Sequence, residues 1–154
     1  MKRVIVIFIF VFLFCTFAHA ELSFQGWAVK SGYNFDSEDL SLGVDLNLNT
    51  IAKNVYFVPQ GELDFFGDLK KFGVAASFQY FIPVENMTPY IGAGVDIIHW
   101  NYDNDFAEGS ETDFKLHVLT GFDFSISENF DVFVELKSRF IDESDTTLWF
   151  GVAF

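Results

Sequence analysis

The sequence predicts an all-β fold: a closed, antiparallel, eight-stranded up-and-down transmembrane β-barrel. Three observations lead there. Leu40-Ser41-Leu42-Gly43-Val44-Asp45-Leu46-Asn47-Leu48-Asn49 alternates strictly, aliphatic at every even position and polar or glycine at every odd one. Ten residues of period two exclude an amphipathic helix, which needs 3.6, and match the roughly 9–11 residues that cross a bilayer as a tilted strand. Segments of the same kind recur until the count reaches eight, the even number expected of bacterial single-chain barrels. The composition also joins 22 Phe to a net charge of −13, so apolar and charged residues must be finely interleaved.

Residues 1–20 are read as a signal peptide cleaved after Ala20. Lys2 and Arg3 open it, Val4 through Phe14 is unbroken apolar sequence, and Ala18-His19-Ala20 supplies the small-x-small cleavage site. The barrel domain is then 21–154. Its first strand spans about 22–34, with Trp27, Val29, Ser31 and Tyr33 on one face and Gly26, Ala28, Lys30 and Gly32 on the other. The alternating segment just quoted is the second. The third, about 54–66, sets Val55, Phe57, Leu63 and Phe65 outward, with Pro59 predicting a bulge or a weak ladder.

The fourth strand, about 72–82, opposes Phe72, Val74, Phe78 and Tyr80 to Gly73, Ala75, Ser77 and Gln79. The fifth, about 89–100, opposes Ile91, Ala93, Val95 and Ile97 to Tyr90, Gly92, Gly94 and Asp96. The sixth is placed at about 113–125, the seventh at 130–140 and the eighth at 146–154. Turns are expected at Thr50–Asn54, Pro83–Thr88 and Ser127–Asn129, and outer loops at Asp36–Asp39, Gly67–Lys71, Asn101–Thr112 and Asp142–Asp145. An even strand number puts both termini on one side, the periplasmic side for an exported chain.

The eighth strand carries Leu148, Phe150, Val152 and the terminal aromatic Phe154 on one face, with Thr147, Gly151 and Ala153 opposite. A greasy face backed by small residues suits a barrel wall, and the pattern looks like the assembly signal read by the outer-membrane barrel-assembly machinery. Pro89-Tyr90-Ile91-Gly92-Ala93-Gly94-Val95 and Phe133-Val134-Glu135-Leu136-Lys137 resemble the fifth and penultimate strands of small outer-membrane β-barrels of the OmpA/OmpX type. The resemblance covers essentially all of 21–154. It implies a cell outer-membrane location, surroundings of lipid and lipopolysaccharide, and periplasmic chaperones during biogenesis, with the chain a monomer. The short loops depart from better-known members, so adhesion or invasion does not carry over.

The alternation assigns an interior charge network: Lys30, Asp45, Glu62, Asp64, Asp96, Lys115, His117, Asp123, Glu135, Lys137 and Arg139. Eight strands enclose a space just wide enough for side chains to fill, and charges buried there must pair. A salt-bridged plug is therefore expected, with a structural role and no catalysis. The interior glycines Gly92, Gly94 and Gly151 read as room for Trp149 and Tyr90. Tyr33, Trp100, Tyr102 and Phe140 near one rim, with Tyr56, Tyr80 and Phe154 near the other, form the expected aromatic girdles.

The same residues bear on other functional classes. The acidic balance repels nucleic-acid phosphates, and the only cysteine, Cys15, falls in the signal peptide, so neither a disulfide nor a thiolate metal site is expected. No cofactor motif is present. A lipopolysaccharide-modifying enzyme would need a triad on the outer rim; His99 is the best candidate base, but Ile97 and Asn101 flank it at two residues and no serine does. Asp103, Asn104, Asp105, Glu108 and Glu111 read as a solvated acidic loop. A soluble lipocalin-like barrel would invert the faces, hiding Leu42, Val44 and Leu46 around a ligand.

Overall fold

A computed structural model describes residues 23–49, 52–66, 69–84, 87–104, 107–141 and 144–154, so the predicted signal peptide lies outside them. Eight strands follow one another: β1 (Ser23–Asn34), β2 (Asp39–Asn49), β3 (Val55–Phe66), β4 (Leu69–Phe81), β5 (Thr88–Asn104), β6 (Ala107–Ser127), β7 (Phe130–Phe140) and β8 (Asp145–Ala153). Each pairs antiparallel with the next, and β8 closes onto β1. The closing seam runs from Ala28↔Ala153 to Asn34↔Thr147. Phe154 extends it by one residue. Its amide donates to the Trp27 carbonyl (2.8 Å), its oxygen accepts from the Trp27 amide (3.1 Å), and the two rings stack at 4.8 Å.

Burial follows the period-two pattern around the whole wall. On β1 the even residues from Gly26 to Asn34 are buried and the odd ones from Trp27 to Tyr33 are exposed. On β2, Leu40 (68% exposed), Leu42, Val44 and Leu46 point outward while Ser41 and Asp45 are buried. The lipocalin-like inversion therefore does not occur: large apolar side chains form the outer wall, and most fully buried side chains are polar or charged. Hydrogen-bond closure around the ring leaves no sheet edge along the wall, the requirement for a sheet facing hydrocarbon.

Pro59 keeps register without a bulge. It pairs with Ala76 on β4, while towards β2 the ladder omits Leu46 and Asn47 between Asp45↔Gln60 and Leu48↔Phe57. The missing amide donor costs pairing on one side only. Register shifts occur instead at Phe24/Gly26 and Ser125/Ser127, both at the end that carries the termini. Asn54 closes the β2–β3 turn with φ 62°, a conformation that asparagine tolerates better than most residues.

Two of the expected outer loops, the second and third, are shorter than the sequence indicates, because hydrophobic alternation reports which face meets lipid rather than where backbone pairing stops. The segment Asn101–Thr112 is a continued hairpin, paired as far as Asn104↔Ala107, so Asp103, Asn104, Glu108 and Glu111 stand on strands; Asp105 lies outside the described residues. Leu69 to Lys71 belong to β4 rather than to a loop, and Asp145 opens β8. A strand projecting into water needs no apolar face, and its polar residues pair as well as valines do.

Candidate functional site: the barrel lumen

The lumen is built from inward positions of all eight strands, and its centre is two carboxylates. Glu62 on β3 accepts from Lys137 Nζ at 2.9 Å, pairs with Arg139 Nη2, and lies 3.6 Å from Lys30 Nζ. Asp96 on β5 pairs with Lys137 at 2.8 Å, Arg139 Nε at 3.2 Å and the His117 ring. Lys137 and Arg139 sit two residues apart on β7, so both point inward and reach both carboxylates. Every one of these side chains is nearly inaccessible to solvent.

The network spreads from that centre towards both ends. Lys30 on β1 approaches Asp45 (3.0 Å) and Glu135 (3.5 Å), and its ammonium lies 4.7 Å from the Trp149 ring. Glu135 in turn accepts from the Tyr90 hydroxyl at 3.1 Å. Towards the end away from the termini, Asp145 receives Arg139 (2.8 Å) and Lys115 (3.1 Å), and Asp64 pairs with Lys71 (2.8 Å). Glu62 and Arg139 are 77 residues apart, so the ion pairs tie together strands that the backbone ladder does not join directly.

Of the sequence-assigned interior set, ten residues thus meet in one connected region or, for Asp64, beside it. Asp123 does not. It is only partly buried, makes no ion pair among the described residues, and lines a cavity of about 480 Å³ that opens at the terminal end with Asp131, Glu128 and Asn47. The correction has a simple cause: parity places a residue on the inner face, but height along the strand decides whether a partner is within reach. Two members were missed, Lys71 and Asp145. One further step of the alternation, from Gly73 to Lys71 and from Thr147 to Asp145, finds both.

Below the charges the filling becomes aromatic. Tyr90 stacks on Phe81 at 4.8 Å, and Tyr56 meets Phe81 edge-on at 5.0 Å. Glycines make room for the rings at positions other than those expected. A Cβ at Gly121 would strike the Tyr90 ring and one at Gly32 the Trp149 ring, whereas Gly151, Gly92 and Gly94 clear Phe133, Leu119 and His117. Tyr56 is therefore an interior residue and not part of a girdle. Trp100 also leaves the girdle: half-buried on the inward face, it lies 4.9 Å from Lys71 Nζ and donates to Asp113 at 3.0 Å. Tyr33, Tyr80, Phe140 and Phe154 do face outward.

On the outer wall, His99 Nδ1 lies 3.0 Å from Thr112 Oγ1, its neighbour across the β5–β6 ladder. Neither bonds to a carboxylate among the described residues. Leu148, Phe150 and Val152, expected from the sequence to belong to an assembly signal, share the outer face of β8, and Phe154 follows just beyond it, with Phe150 and Phe154 half-exposed.

No family model matches the chain, and no curated protein matches it significantly. Its architecture is that of solved eight-stranded outer-membrane barrels. Neisserial surface protein A is 17% identical with a TM-score of 0.67, the match covering 83% of this chain and 92% of that one. The N-terminal β-barrel domain of Pseudomonas aeruginosa OprF is 13% identical with a TM-score of 0.70, covering 86% and 98%. The outer membrane enzyme PagL is 14% identical with a TM-score of 0.54, covering 82% and 98%. At such identities the likeness establishes the fold, and one fold carries both an enzyme and other proteins.

Proposed function

We propose that this chain is an integral outer-membrane protein with a structural role in the envelope, its lumen plugged by ion pairs and rings, and without catalysis. The observation that carries this reading is the reversed partition of side chains. Phe72, Val74, Ile91, Leu116, Val118 and Phe150 lie exposed on the wall while Lys30, Glu62, Lys137 and Arg139 are buried. In water such a surface would aggregate; in lipid it is the stable arrangement. The convergence of several buried charges on two carboxylates supports a plug rather than a pore.

On this reading a signal peptide exports the chain and both termini face the periplasm. Chaperones deliver it, and the barrel-assembly machinery reads Leu148, Phe150, Val152 and Phe154. The barrel then sits as a monomer among lipid and lipopolysaccharide. The test is gel mobility of protein extracted from outer membranes in detergent, unheated against boiled, followed by planar-bilayer recording. A boiling-dependent shift with no channel steps is the expected result. Recovery of the protein in the soluble periplasm, or a steady large conductance, sinks the reading.

A second reading rests on the His99–Thr112 pair. An imidazole beside a hydroxyl on the lipid-facing wall is two thirds of a nucleophile-and-base arrangement, in a fold that also houses an enzyme. Its consequence is a mass change in lipid A on expression that disappears with His99→Ala. Identical lipid A with and without the protein eliminates it.

A further inference from the structure

Asp45, Glu62, Asp64, Asp96, Glu135 and Asp145 in the lumen each meet a base. Asp123 meets none among the described residues, and its Oδ1 is buried without a hydrogen-bond partner. Strand register explains this isolation. Asp123 stands opposite Phe133 on β7, so its same-face neighbours two residues either way along that strand are Asp131 and Glu135. Such diagonal neighbours lie about 7–8 Å apart, and both carry the same sign as Asp123. Glu135 is already engaged by Lys30 and by the Tyr90 hydroxyl. Asp123 and Asp131 are left as a like-charged pair on the wall of the terminal-end cavity.

That cavity, about 480 Å³, falls within the roughly 300–1,000 Å³ typical of small-molecule sites. Its lining divides by chemistry. Asp123, Glu128 and Asp131 supply negative charge, Tyr56, Phe81 and Phe130 supply rings, and none of the described residues that line it is Lys, Arg or His. Lys53, on the β2–β3 turn at the same end, is exposed and stands outside the lining. A concave wall of one sign concentrates ions of the other, and an aromatic face attracts a cation further. A metal ion does not match: among the described residues no three carboxylate, imidazole or thiol groups are placed to hold one, and the rings would contribute nothing. An organic cation uses both parts of the wall, its charge at the aspartates and its apolar body against the rings.

We propose that the terminal-end cavity binds a small protonated organic amine, with Asp123 and Asp131 pairing to the ammonium group and Tyr56, Phe81 and Phe130 enclosing its apolar body. The ligand supplies the counter-charge that no lining side chain provides. Like charges on neighbouring strands of one face break the usual cross-strand preference, and such breaks concentrate at functional sites. Binding here goes beyond a structural role in the envelope and needs neither a conducting lumen nor a reactive wall.

The test titrates the folded barrel in zwitterionic detergent with benzylammonium and follows its backbone amide resonances. Benzyl alcohol, neutral and of nearly the same shape, is the control. Saturable shifts are expected at Asp123, Ser125 and Asp131 and at Tyr56 and Phe81, with the alcohol binding about tenfold or more weakly, since a charge-assisted contact is worth about that factor. The variant Asp123→Asn/Asp131→Asn, checked for an unchanged heat-dependent mobility shift, is expected to weaken amine binding by a similar factor. If that variant does not fold, the amine-to-alcohol ratio in the unmodified protein decides. Absence of saturable shifts at millimolar amine overturns the proposal, as does equal binding of the alcohol, which would mean apolar partitioning alone. Equal displacement of the amine by calcium overturns it in favour of unselective screening of an acidic mouth. Shifts spread along outer-wall residues such as Val118 and Leu136 overturn it in favour of uptake into the detergent.

Discussion

The two halves of the lumen are filled by different chemistry and tolerate change differently. Near the outer rim and at mid-height, charges from every strand converge, with Glu62 meeting three cationic side chains and Asp96 meeting two together with the His117 ring. Near the termini, Tyr56, Phe81 and Tyr90 stack, and beyond them lies an open cavity holding the unpaired Asp123. The charges in the upper half are buried against one another, so removing one partner strands the others. Asp123 in the lower half borders a cavity with one carboxylate oxygen buried and unpartnered, so neutralising it strands no counter-charge.

The largest effect should come from breaking the upper half. Glu62→Ala leaves Lys30, Lys137 and Arg139 short of a counter-charge, and losing one partner of a buried pair costs about 3–5 kcal/mol. Urea unfolding of the barrel in lipid vesicles measures this; a loss under 1 kcal/mol would mean that water already fills the lumen. Leu46→Arg tests the wall instead of the lumen, at roughly 2–4 kcal/mol for a basic residue at mid-membrane. Its folded yield in outer membranes should fall sharply, and an unchanged yield would overturn the inside–outside assignment.

Smaller changes separate the halves further. Phe81→Ala removes the ring shared by Tyr56 and Tyr90. It should cost about 1–3 kcal/mol, less than a sealed core site at about 3–5 kcal/mol, because the cavity below can admit water. Gly121→Val drives a side chain into Tyr90 at about 1–3 kcal/mol, and thermal midpoints should rank it near Phe81→Ala. Asp123→Asn, the lower-half counterpart of Glu62→Ala, should change stability by less than about 0.5 kcal/mol. A loss comparable to that of Glu62→Ala would show that Asp123 has a partner in solution and that the halves do not differ.

The inner and outer faces were legible in the sequence because a strand's side chains alternate strictly, so parity alone separates Leu42 from Asp45. Strand ends were less legible. Lys71 and Asp145 read as loop residues because the apolar alternation begins only beyond them, at Phe72 and Leu148, although their parity points inward. The ribbon 101–112 was hidden for the same reason: outside lipid, pairing leaves no hydrophobic trace. Tyr56 and Trp100 show a further limit, because an aromatic residue near a strand end suits either the interface or the lumen.

The sequence by itself determined a closed barrel of eight strands, an apolar wall, and which charges turn inward, all consequences of a period of two and of chain length. Only the tertiary structure decided the rest. Which carboxylate meets which cation depends on strand register and stagger, which set the height of each residue in the lumen: they unite Glu62 with Arg139 across 77 residues and leave Asp123 alone. They also end β7 short of β6, and no local pattern in either strand records that mismatch.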